Sequence, residues 1–411
     1  MVSFAIGVAL FALALLGSVA WHECGHMWAA QATGMKVRRY FVGFGPTLWS
    51  TRRGETEYGI KALPLGGFCD IAGMTPHDEI SDADRPRAMY LQKPWKRLVV
   101  LAAGPAQNFV LGFVLIMAAG LIWGLPDLTP PPAPATVGKT DCVASAITYD
   151  ANRKQTSPSC SGVGPADAAG IRPGDTIVAV NGTPIDGAEA LTPIIRDSTG
   201  PLRLTVDRDG RRLDLTMTPE RATVTTTARD GTTKSETYNM IGIVYERPPS
   251  TIEHYNALTI IPGAAVFTKD LAVRTWDALL SLPSKVGALW TAVTGGERDP
   301  NTPVSVYGAS VMGGEAVERG YWDTFLLLLI TVNFFLALFN LVPLLPLDGG
   351  HMAIVGYEKI RDLIRRWLGR APGQPVDYYK LMPITYAVVI VMAGFMVLTL
   401  TADIVNPIQL F

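Results

Sequence analysis

Four long apolar stretches constrain the fold of this chain more than any other feature. They run from about Val2 to Ala30, Leu98 to Leu125, Trp322 to Leu345 and Met382 to Ala402. Each reaches the length of about 20 residues that a helix needs to cross the hydrocarbon core of a bilayer. Hydrophobic residues make up 48% of the 411 residues and charged residues 17%, whereas soluble domains carry about 25% charged residues. The sequence therefore predicts a helical membrane protein with four spans.

The first stretch has an alternative interpretation as a cleaved signal peptide. The triplet Ser18-Val19-Ala20 resembles a small-residue cleavage site. However, no Lys or Arg precedes Lys36, and the apolar run continues past Ala20 to Trp28. Signal peptides normally begin with a basic region, so these features favour a retained span.

Basic residues are concentrated in two of the segments that connect the spans, residues 31–97 and residues 351–380. Cytoplasmic loops of membrane proteins are enriched in Lys and Arg, so both segments are predicted to be cytoplasmic. The two termini and residues 126–320 are then predicted to lie outside. The net charge of −1 gives no indication of nucleic-acid binding.

The external segment begins with a linker and continues as a small domain. Pro130-Pro131-Pro132 predicts a stiff, extended linker. Short apolar runs follow, separated by Asn181-Gly182, Asp209-Gly210 and Asp230-Gly231, which are strong hairpin signals. Residues 255–295 contain no apolar run of 20 residues, and we expect external or interfacial helices there rather than a fifth span.

The four cysteines agree with this topology. Cys142 and Cys160 fall in the external segment, while Cys24 and Cys69 fall on the cytoplasmic side. Disulfides persist outside the cytoplasm, so a Cys142–Cys160 bridge is predicted. Closing a loop of this size would stabilise the domain by about 3 kcal/mol in the chain-entropy model. Two free thiols are the alternative.

Residues 36–70 are unusually apolar for a cytoplasmic segment. Two strand-like runs, 37–49 and 56–65, flank a polar turn at Arg52-Arg53-Gly54. Backbone that is not helical is tolerated at membrane depth only against protein or a wet cavity. The sequence predicts a membrane-associated β-hairpin of that kind.

The motif Trp21-His22-Glu23-Cys24-Gly25-His26 carries the strongest chemical signal. Two histidines four residues apart project from one face of a helix and can share a metal ion, and the intervening Glu23 can act as general base. Ionisable groups inside a span are costly and usually mark function. A polar cluster that satisfies itself between helices is the structural alternative.

A hydrolytic zinc site needs a third protein ligand and one open position. About 30 Å of helix separates Val2 from His22, which places His22 near the cytoplasmic end of its span. The third span runs the other way and ends at Pro343-Leu-Leu-Pro-Leu-Asp348. Asp348 therefore reaches a similar depth and is the predicted third ligand. Without the match in depth to His22 and His26, Asp348 would be interpreted as the N-cap of the next helix.

The sequence resembles the site-2 proteases, membrane-embedded zinc metalloproteases of regulated intramembrane proteolysis. The matching stretches are His22-Glu23-Cys24-Gly25-His26, Gly104-Pro105-Ala106-Gln107-Asn108 and Asn340-Leu-Val-Pro-Leu-Leu-Pro-Leu-Asp348-Gly349. The order of spans and external domain resembles the RseP-like branch, and the mycobacterial-type enzymes most closely. One external domain is present where the enterobacterial RseP type carries two.

The resemblance implies a role for each matching residue. His22, His26 and Asp348 would bind Zn²⁺, and Glu23 would activate water. The residues implied to contact substrate are Asn108, as a candidate for stabilising the oxyanion, Asn340, and the hairpin residues Gly43, Phe44 and Gly45. Helix–helix hydrogen bonding is the alternative role for Asn108 and Asn340.

The external domain resembles a PDZ domain through Gly164-Pro-Ala-Asp-Ala-Ala-Gly170-Ile-Arg-Pro-Gly174-Asp175 and the following residues to Gly182. PDZ domains bind extended peptides at a sheet edge. A peptide receptor and a size filter remain equal interpretations of this domain.

The expected fold is an α-helical membrane protein with four transmembrane helices, a membrane-associated β-hairpin and one external PDZ-like α+β domain. The expected divisions are 1–125 with the hairpin at 36–70, 126–250 with the linker and PDZ-like domain, 251–320 with external helices, and 321–411 with the last two spans.

The resemblance further implies a multi-pass protein of the bacterial plasma membrane with its active site near the cytoplasmic face. Its substrates would be single-span membrane proteins, such as anti-sigma factors, already cut outside by an upstream site-1 protease.

Two other functions stay open. A different membrane metalloprotease class uses a downstream Glu as third ligand, and Glu358 is the acid near that role. Alternatively, the chain is a peptide-binding membrane scaffold whose catalytic site has decayed, although the three ligands and the base are all present.

Overall fold

A computed structural model describes residues 2–129, 132–149, 155–156, 160–227, 233–246, 252–296 and 298–408, apart from the side chain of Leu65. The chain divides into two compact units. Met1–Leu125 and Glu253–Phe411 form the membrane unit, and Pro126–Ile252 form the inserted unit.

The helices are α1 (Val2–Ala32), α2 (Pro94–Ile122), α3 (Pro165–Ala168), α4 (Gly187–Arg196), α5 (Ile260–Val293), α6 (Val306–Glu318), α7 (Trp322–Asn340), α8 (Asp348–Trp367) and α9 (Tyr378–Val405). The strands are β1 (Val37–Arg53), β2 (Thr56–Ile71), β3 (Leu125–Pro126), β4 (Ala135–Thr140), β5 (Ala146–Tyr149), β6 (Thr176–Val180), β7 (Thr183–Pro184), β8 (Leu202–Arg208), β9 (Arg211–Met217), β10 (Glu220–Thr227), β11 (Thr233–Met240), β12 (Ile243–Tyr245) and β13 (Ile252–Glu253). Two single-turn 3₁₀ helices, Arg85–Arg87 and Met89–Leu91, precede α2.

Four of these helices, α1, α2, α7 and α9, are long and apolar enough to cross a membrane. They correspond to the four predicted spans. The long helix α5 and the shorter α6 cover most of residues 255–320 and do not meet the same criteria among the described residues.

The end of the third span differs from the sequence expectation. Helix α7 ends at Asn340, five residues before the expected Leu345. Pro343 accounts for the difference, because proline cannot donate the helical hydrogen bond and disfavours helical backbone at the residue before it. In contrast, α2 continues through Pro105 without ending. The residues between α7 and α8 form an irregular connection that leads into Asp348.

Strands β1 and β2 form a more elaborate sheet than the predicted hairpin. Both strands bend, so residues 39–42 pair with 57–60 on one side and with 67–70 on the other. Residues 49–53 pair with the outer side of 56–60. The four segments therefore lie in the order 49–53, 57–60, 39–42, 67–71. Segment 67–71 is an edge, since no further strand pairs with it among the described residues.

The β1 bend depends on glycine. Gly43 and Gly45 have φ angles of 91° and 82°, a region that residues with a side chain rarely adopt. A Cβ at Gly43 would also lie 2.8 Å from the carbonyl oxygen of Lys61. The Gly43-Phe44-Gly45 sequence thus allows β1 to turn sharply while β2 passes close by.

Helix α6 packs closely on α1 through small residues. A Cβ at Gly7 would lie 2.9 Å from Gly314 Cα, and a Cβ at Gly313 would lie 2.6 Å from the ring of Phe11. A buried ion pair, Arg298 with Asp403 at 2.6 Å, joins the segment before α6 to the end of α9.

The inserted unit contains a sheet of order β12-β4-β6-β8-β9 and a smaller sheet of order β11-β10-β5. Asn181-Gly182 joins β6 to β7, and Asp209-Gly210 joins β8 to β9. All four residues have positive φ angles between 51° and 84°, so both predicted two-residue hairpin turns are confirmed. The Asp230-Gly231 turn and Pro130-Pro131 lie outside the described residues.

The core of the inserted unit forms between its main sheet and α4. Leu191 on α4 is fully buried, as are Leu204 and Val206 on β8. Cys142 and Cys160 are joined by a disulfide, with their Cα atoms 5.8 Å apart. The PDZ resemblance of this unit remains a prediction.

Candidate metal centre

His22 and His26 lie on one face of α1, one helical turn apart, and both are buried. Their Nε2 atoms are 3.1 Å apart. The α1 helix supplies this proximity directly, because residues four apart stack on the same face. The two imidazoles therefore converge on one point, as the motif predicts.

Asp348 meets this histidine pair from α8, of which it is the first residue. Its Oδ2 atom lies 3.2 Å from His22 Nε2 and 3.3 Å from His26 Nε2. Donors bound to a tetrahedral zinc ion at 2.0–2.1 Å are separated by about 3.3 Å. The three donor–donor distances thus match the edges of a zinc coordination tetrahedron, and the residues fit the ion.

The other ring nitrogen of each histidine has a polar neighbour. His26 Nδ1 donates to the backbone oxygen of Val100 at 2.8 Å, which leaves its Nε2 lone pair free for a metal. His22 Nδ1 lies 3.3 Å from the side-chain amide of Asn108. Such outer hydrogen bonds fix the tautomer and orientation of metal-binding histidines.

Glycines bring α2 against the centre. A Cβ at Gly104 would lie 2.6 Å from His22 Nε2 and would overlap His26 Nε2 as well. A Cβ at Gly25 on α1 would likewise collide with the backbone oxygen of Ala103 on α2. The sequence assigns no individual role to Gly104, which stands out only as the first residue of the matching stretch Gly104-Pro105-Ala106-Gln107-Asn108.

Glu23 faces a cavity of about 290 Å³ that also contains the His22–His26–Asp348 triad. Its side chain passes close to Gly67, and its carboxylate accepts a hydrogen bond from the backbone of Cys69 on the edge segment 67–71. Asn108 and Asn340 line the same cavity. The arrangement places a carboxylate, three metal donors and two carboxamides around one space.

The predicted residues Gly43, Phe44 and Gly45 are not part of the cavity lining. Phe44 instead stacks on Phe68, with ring centroids 6.0 Å apart, and Phe68 lines the cavity. This triplet therefore shapes the sheet beside the centre rather than the centre itself.

Glu358, the alternative third ligand, has a different partner. Its carboxylate lies 2.7 Å from the guanidinium of Arg97 and accepts a further hydrogen bond from the backbone of Val376. Among the described residues of this region, the metal-ligand cluster consists of His22, His26 and Asp348.

The chain as a whole is similar to known zinc metalloproteases. The family model described as Peptidase family M50 matches residues 10–369. The chain is 53% identical to the zinc metalloprotease Rip1 of Mycolicibacterium smegmatis, over 99% of each chain. It is 49% identical to Rip1 of Mycobacterium tuberculosis, again over 99% of each. It is also 26% identical to the regulator of sigma-E protease RseP of Salmonella typhimurium, over 88% of this chain and 92% of that one.

Both the family match and the Rip1 matches extend well beyond half of the chain, and the residues matched by the family model include the histidine pair and Asp348. The chain therefore belongs to peptidase family M50, the site-2 proteases, and is a membrane-embedded zinc metalloprotease.

Proposed function

We propose that this protease cuts single-span membrane proteins within or near their transmembrane helices, at a zinc ion held by His22, His26 and Asp348. The observation that carries the proposal is the convergence of two imidazole nitrogens and one carboxylate oxygen, all within 3.3 Å of one another. The base Glu23 faces the same cavity. Three protein ligands with one position open are typical of catalytic zinc.

When bound, zinc supplies Lewis acidity, which polarises a carbonyl group and acidifies water. Glu23 is the residue that moves the proton. Its carboxylate accepts a proton from the attacking water and then delivers it to the nitrogen of the leaving amine. Its place on α1, next to His22, and its hydrogen bond from the backbone of Cys69 hold it beside the reacting atoms.

Asn108 serves the centre in two ways. Its Oδ1 is buried and has no partner among the described residues, while its Nδ2 lies 3.3 Å from His22 Nδ1. A half-turn of the amide exchanges the two atoms. The oxygen then accepts from His22 Nδ1, which leaves His22 Nε2 free for the metal. The amide N–H₂ then occupies the place of the unpartnered oxygen, where it can donate to an oxyanion.

The edge segment 67–71 supports binding of the substrate as an extended strand. A peptide bond in a helix is shielded by its own hydrogen bonds, so the helix must unwind before cleavage, and an unpaired strand edge can accept the freed backbone. Phe68 and Cys69 of this edge line the catalytic cavity. Gly43, Phe44 and Gly45 hold the edge in place, and Asn340 contacts the substrate backbone from α7.

The substrate class follows from the relatives. The Salmonella relative is named as a regulator of sigma-E protease, and membrane anti-sigma factors are the corresponding substrates for this chain. An upstream site-1 protease first removes most of the external part of such a substrate. The PDZ-like inserted unit then acts outside the membrane, either as a peptide receptor or as a size filter.

The orientation places residues 31–97 and 351–380 in the cytoplasm of a bacterium and the inserted unit outside the plasma membrane. The concentration of Lys and Arg in those two segments supports it, as does the Cys142–Cys160 disulfide in the inserted unit. The metal centre then lies near the cytoplasmic face.

The test is cleavage of a trimmed anti-sigma span by the purified protein, compared with the Glu23→Gln variant. We expect Glu23→Gln to keep its zinc and to lose nearly all activity, because the side chain keeps its shape but cannot take a proton. Cleavage at the wild-type rate by this variant would contradict the proposed mechanism. Zinc binding by the wild type without cleavage of any span would favour the scaffold interpretation instead.

A further inference from the structure

Helix α8 carries an exposed apolar stripe along its second half. Tyr357, Ile360, Leu363, Ile364 and Trp367 are each between 51% and 86% exposed. Their spacing of three and four residues puts them on one side of the helix. A stripe of this size is unusual on a surface that faces only water.

The opposite side of α8 is already packed. Ile354, Val355 and Glu358 are buried, and Glu358 forms the ion pair with Arg97 of α2. The helix therefore has one side bound to the membrane unit and one side with no protein partner among the described residues.

Cations border the stripe on both sides. At 100° per residue, Lys359 and Arg366 follow one edge of the stripe, and Arg361 lies beyond the other edge. Arg361 is paired with Asp362, whereas Lys359 and Arg366 are exposed. An apolar stripe bordered by Lys and Arg is the pattern of a helix that lies in a membrane interface.

The connections of α8 keep it near the bilayer. Residues 341–347 join it to the end of α7, and residues 368–377 join it to the start of α9. Both neighbours are helices long and apolar enough to cross a membrane. In the orientation proposed above, α8 lies at the cytoplasmic face, where the lipid headgroups carry negative charge.

We propose that α8 is an interfacial helix whose apolar stripe enters the cytoplasmic leaflet and whose Lys359 and Arg366 bind anionic lipid headgroups. Since Asp348 is the first residue of α8, docking of the helix on the leaflet sets the depth and direction from which this carboxylate reaches the histidine pair. The lipid surface thereby helps to keep Asp348 next to His22 and His26.

The first test measures depth without using activity. Spin labels are placed through Leu363→Cys and Trp367→Cys in the full chain, reconstituted in nanodiscs of phosphatidylcholine with phosphatidylglycerol. A label at Gln374→Cys in the connection that follows is the water-exposed control, and the unsubstituted chain gives the background of Cys24 and Cys69. We expect labels 363 and 367 to collide more with oxygen than with a water-soluble nickel complex, and label 374 to show the reverse.

The second test measures the charge contribution. Each cation near an anionic leaflet changes binding by roughly fivefold, so Lys359→Glu with Arg366→Glu should shift the labels toward water by a large factor in discs with phosphatidylglycerol. In discs of phosphatidylcholine alone, the same pair of substitutions should have little effect. Arg211→Glu with Arg212→Glu, in the inserted unit, is the control of equal charge change and should leave the labels unmoved.

The outcomes separate the proposal from its alternatives. Labels 363 and 367 exposed to water in both lipid compositions would overturn it. Spin–spin broadening that disappears when labelled protein is diluted with unlabelled protein would identify a second copy of this chain as the occupant and would also overturn it. The proposal depends on the orientation assumed for the proposed function but not on proteolysis, so an inactive protein that still docks α8 would contradict only that function.

Discussion

At the scale of single residues, neighbouring polar groups hold the two histidines of the candidate metal centre. Val100 holds His26 through its backbone oxygen, and Asn108 lies against the other nitrogen of His22. Asp348 has no such neighbour in the described part of the chain and owes its position to the start of α8. A shift of α8 would therefore move the Asp348 carboxylate directly.

Replacing Asp348 by Asn should remove most of the bound zinc, because a neutral amide is a poor ligand and only two histidines remain. Purified wild-type protein should hold about one zinc ion per chain, measured by elemental analysis. Glu358→Gln is the matched control, and it should keep its zinc because Glu358 is paired with Arg97. Loss of zinc from Glu358→Gln but not from Asp348→Asn would identify Glu358 as the third ligand instead.

Gly104→Ala should also disrupt zinc binding, although it changes no ligand. The added methyl group would collide with both histidine rings, and the α2 backbone cannot move away without losing its packing on α1. Gly17→Ala is the control, since a Cβ there meets no atom within 4 Å. We expect a loss of zinc and of activity for the first variant and wild-type values for the second. Equal behaviour of the two variants would show that α2 is not packed on the centre as described.

At the scale of elements, the sequence predicts the apolar helices better than the connections between them. Four apolar runs and the His22–His26 spacing follow from local patterns, and Asp348 follows from matching depths. Segment 37–71 was harder to predict, because its strand-like composition does not reveal that residues 39–42 have two strand neighbours. Gly104 was also missed as part of the site, because its role depends on a contact with another helix.

The ion pair between Asp175 and Arg208 leads to a prediction at this scale. Asp175 is 1% exposed, and its carboxylate bonds to the Arg208 guanidinium at 2.7 Å. This hydrogen bond holds the pKa of Asp175 below its ordinary value. The ion pair therefore stabilises the folded inserted unit above about pH 4, the ordinary pKa of an aspartate, and this stabilisation is lost as the pH falls toward the lowered value.

Asp175→Asn should lower the free energy of unfolding of the inserted unit by about 1–3 kcal/mol at pH 7, since it weakens a buried hydrogen-bonded pair. Denaturant unfolding of wild type and variant should show that this difference shrinks as the pH falls below about 4, the ordinary pKa of an aspartate. Asp214 is more exposed, and its carboxylate accepts a hydrogen bond from Thr205. Asp214→Asn should therefore change the free energy of unfolding much less. A difference that stays constant with pH would mean that the charge of Asp175 does not stabilise the fold.

At the scale of the whole molecule, the proposed topology can be tested through the cysteines. A membrane-impermeant maleimide should label intact cells only after an impermeant reductant has opened the Cys142–Cys160 bridge. Cys24 and Cys69 should stay unlabelled, because the proposed orientation places them on the cytoplasmic side. Cys24→Ser with Cys69→Ser should leave the labelling pattern unchanged. If the wild type were labelled without reduction and the double variant were not, Cys24 or Cys69 would lie outside. The orientation would then be the opposite of the one proposed.

The donors of the metal centre come from distant parts of the chain, with His22 and Asp348 separated by 326 residues. Ribosomes add about 5–20 residues per second, so the imidazoles enter the membrane on the order of tens of seconds before the carboxylate is synthesised. A nascent chain therefore carries only two of the three ligands throughout most of its translation. The proposed metal centre therefore becomes complete only after the start of α8 has been made.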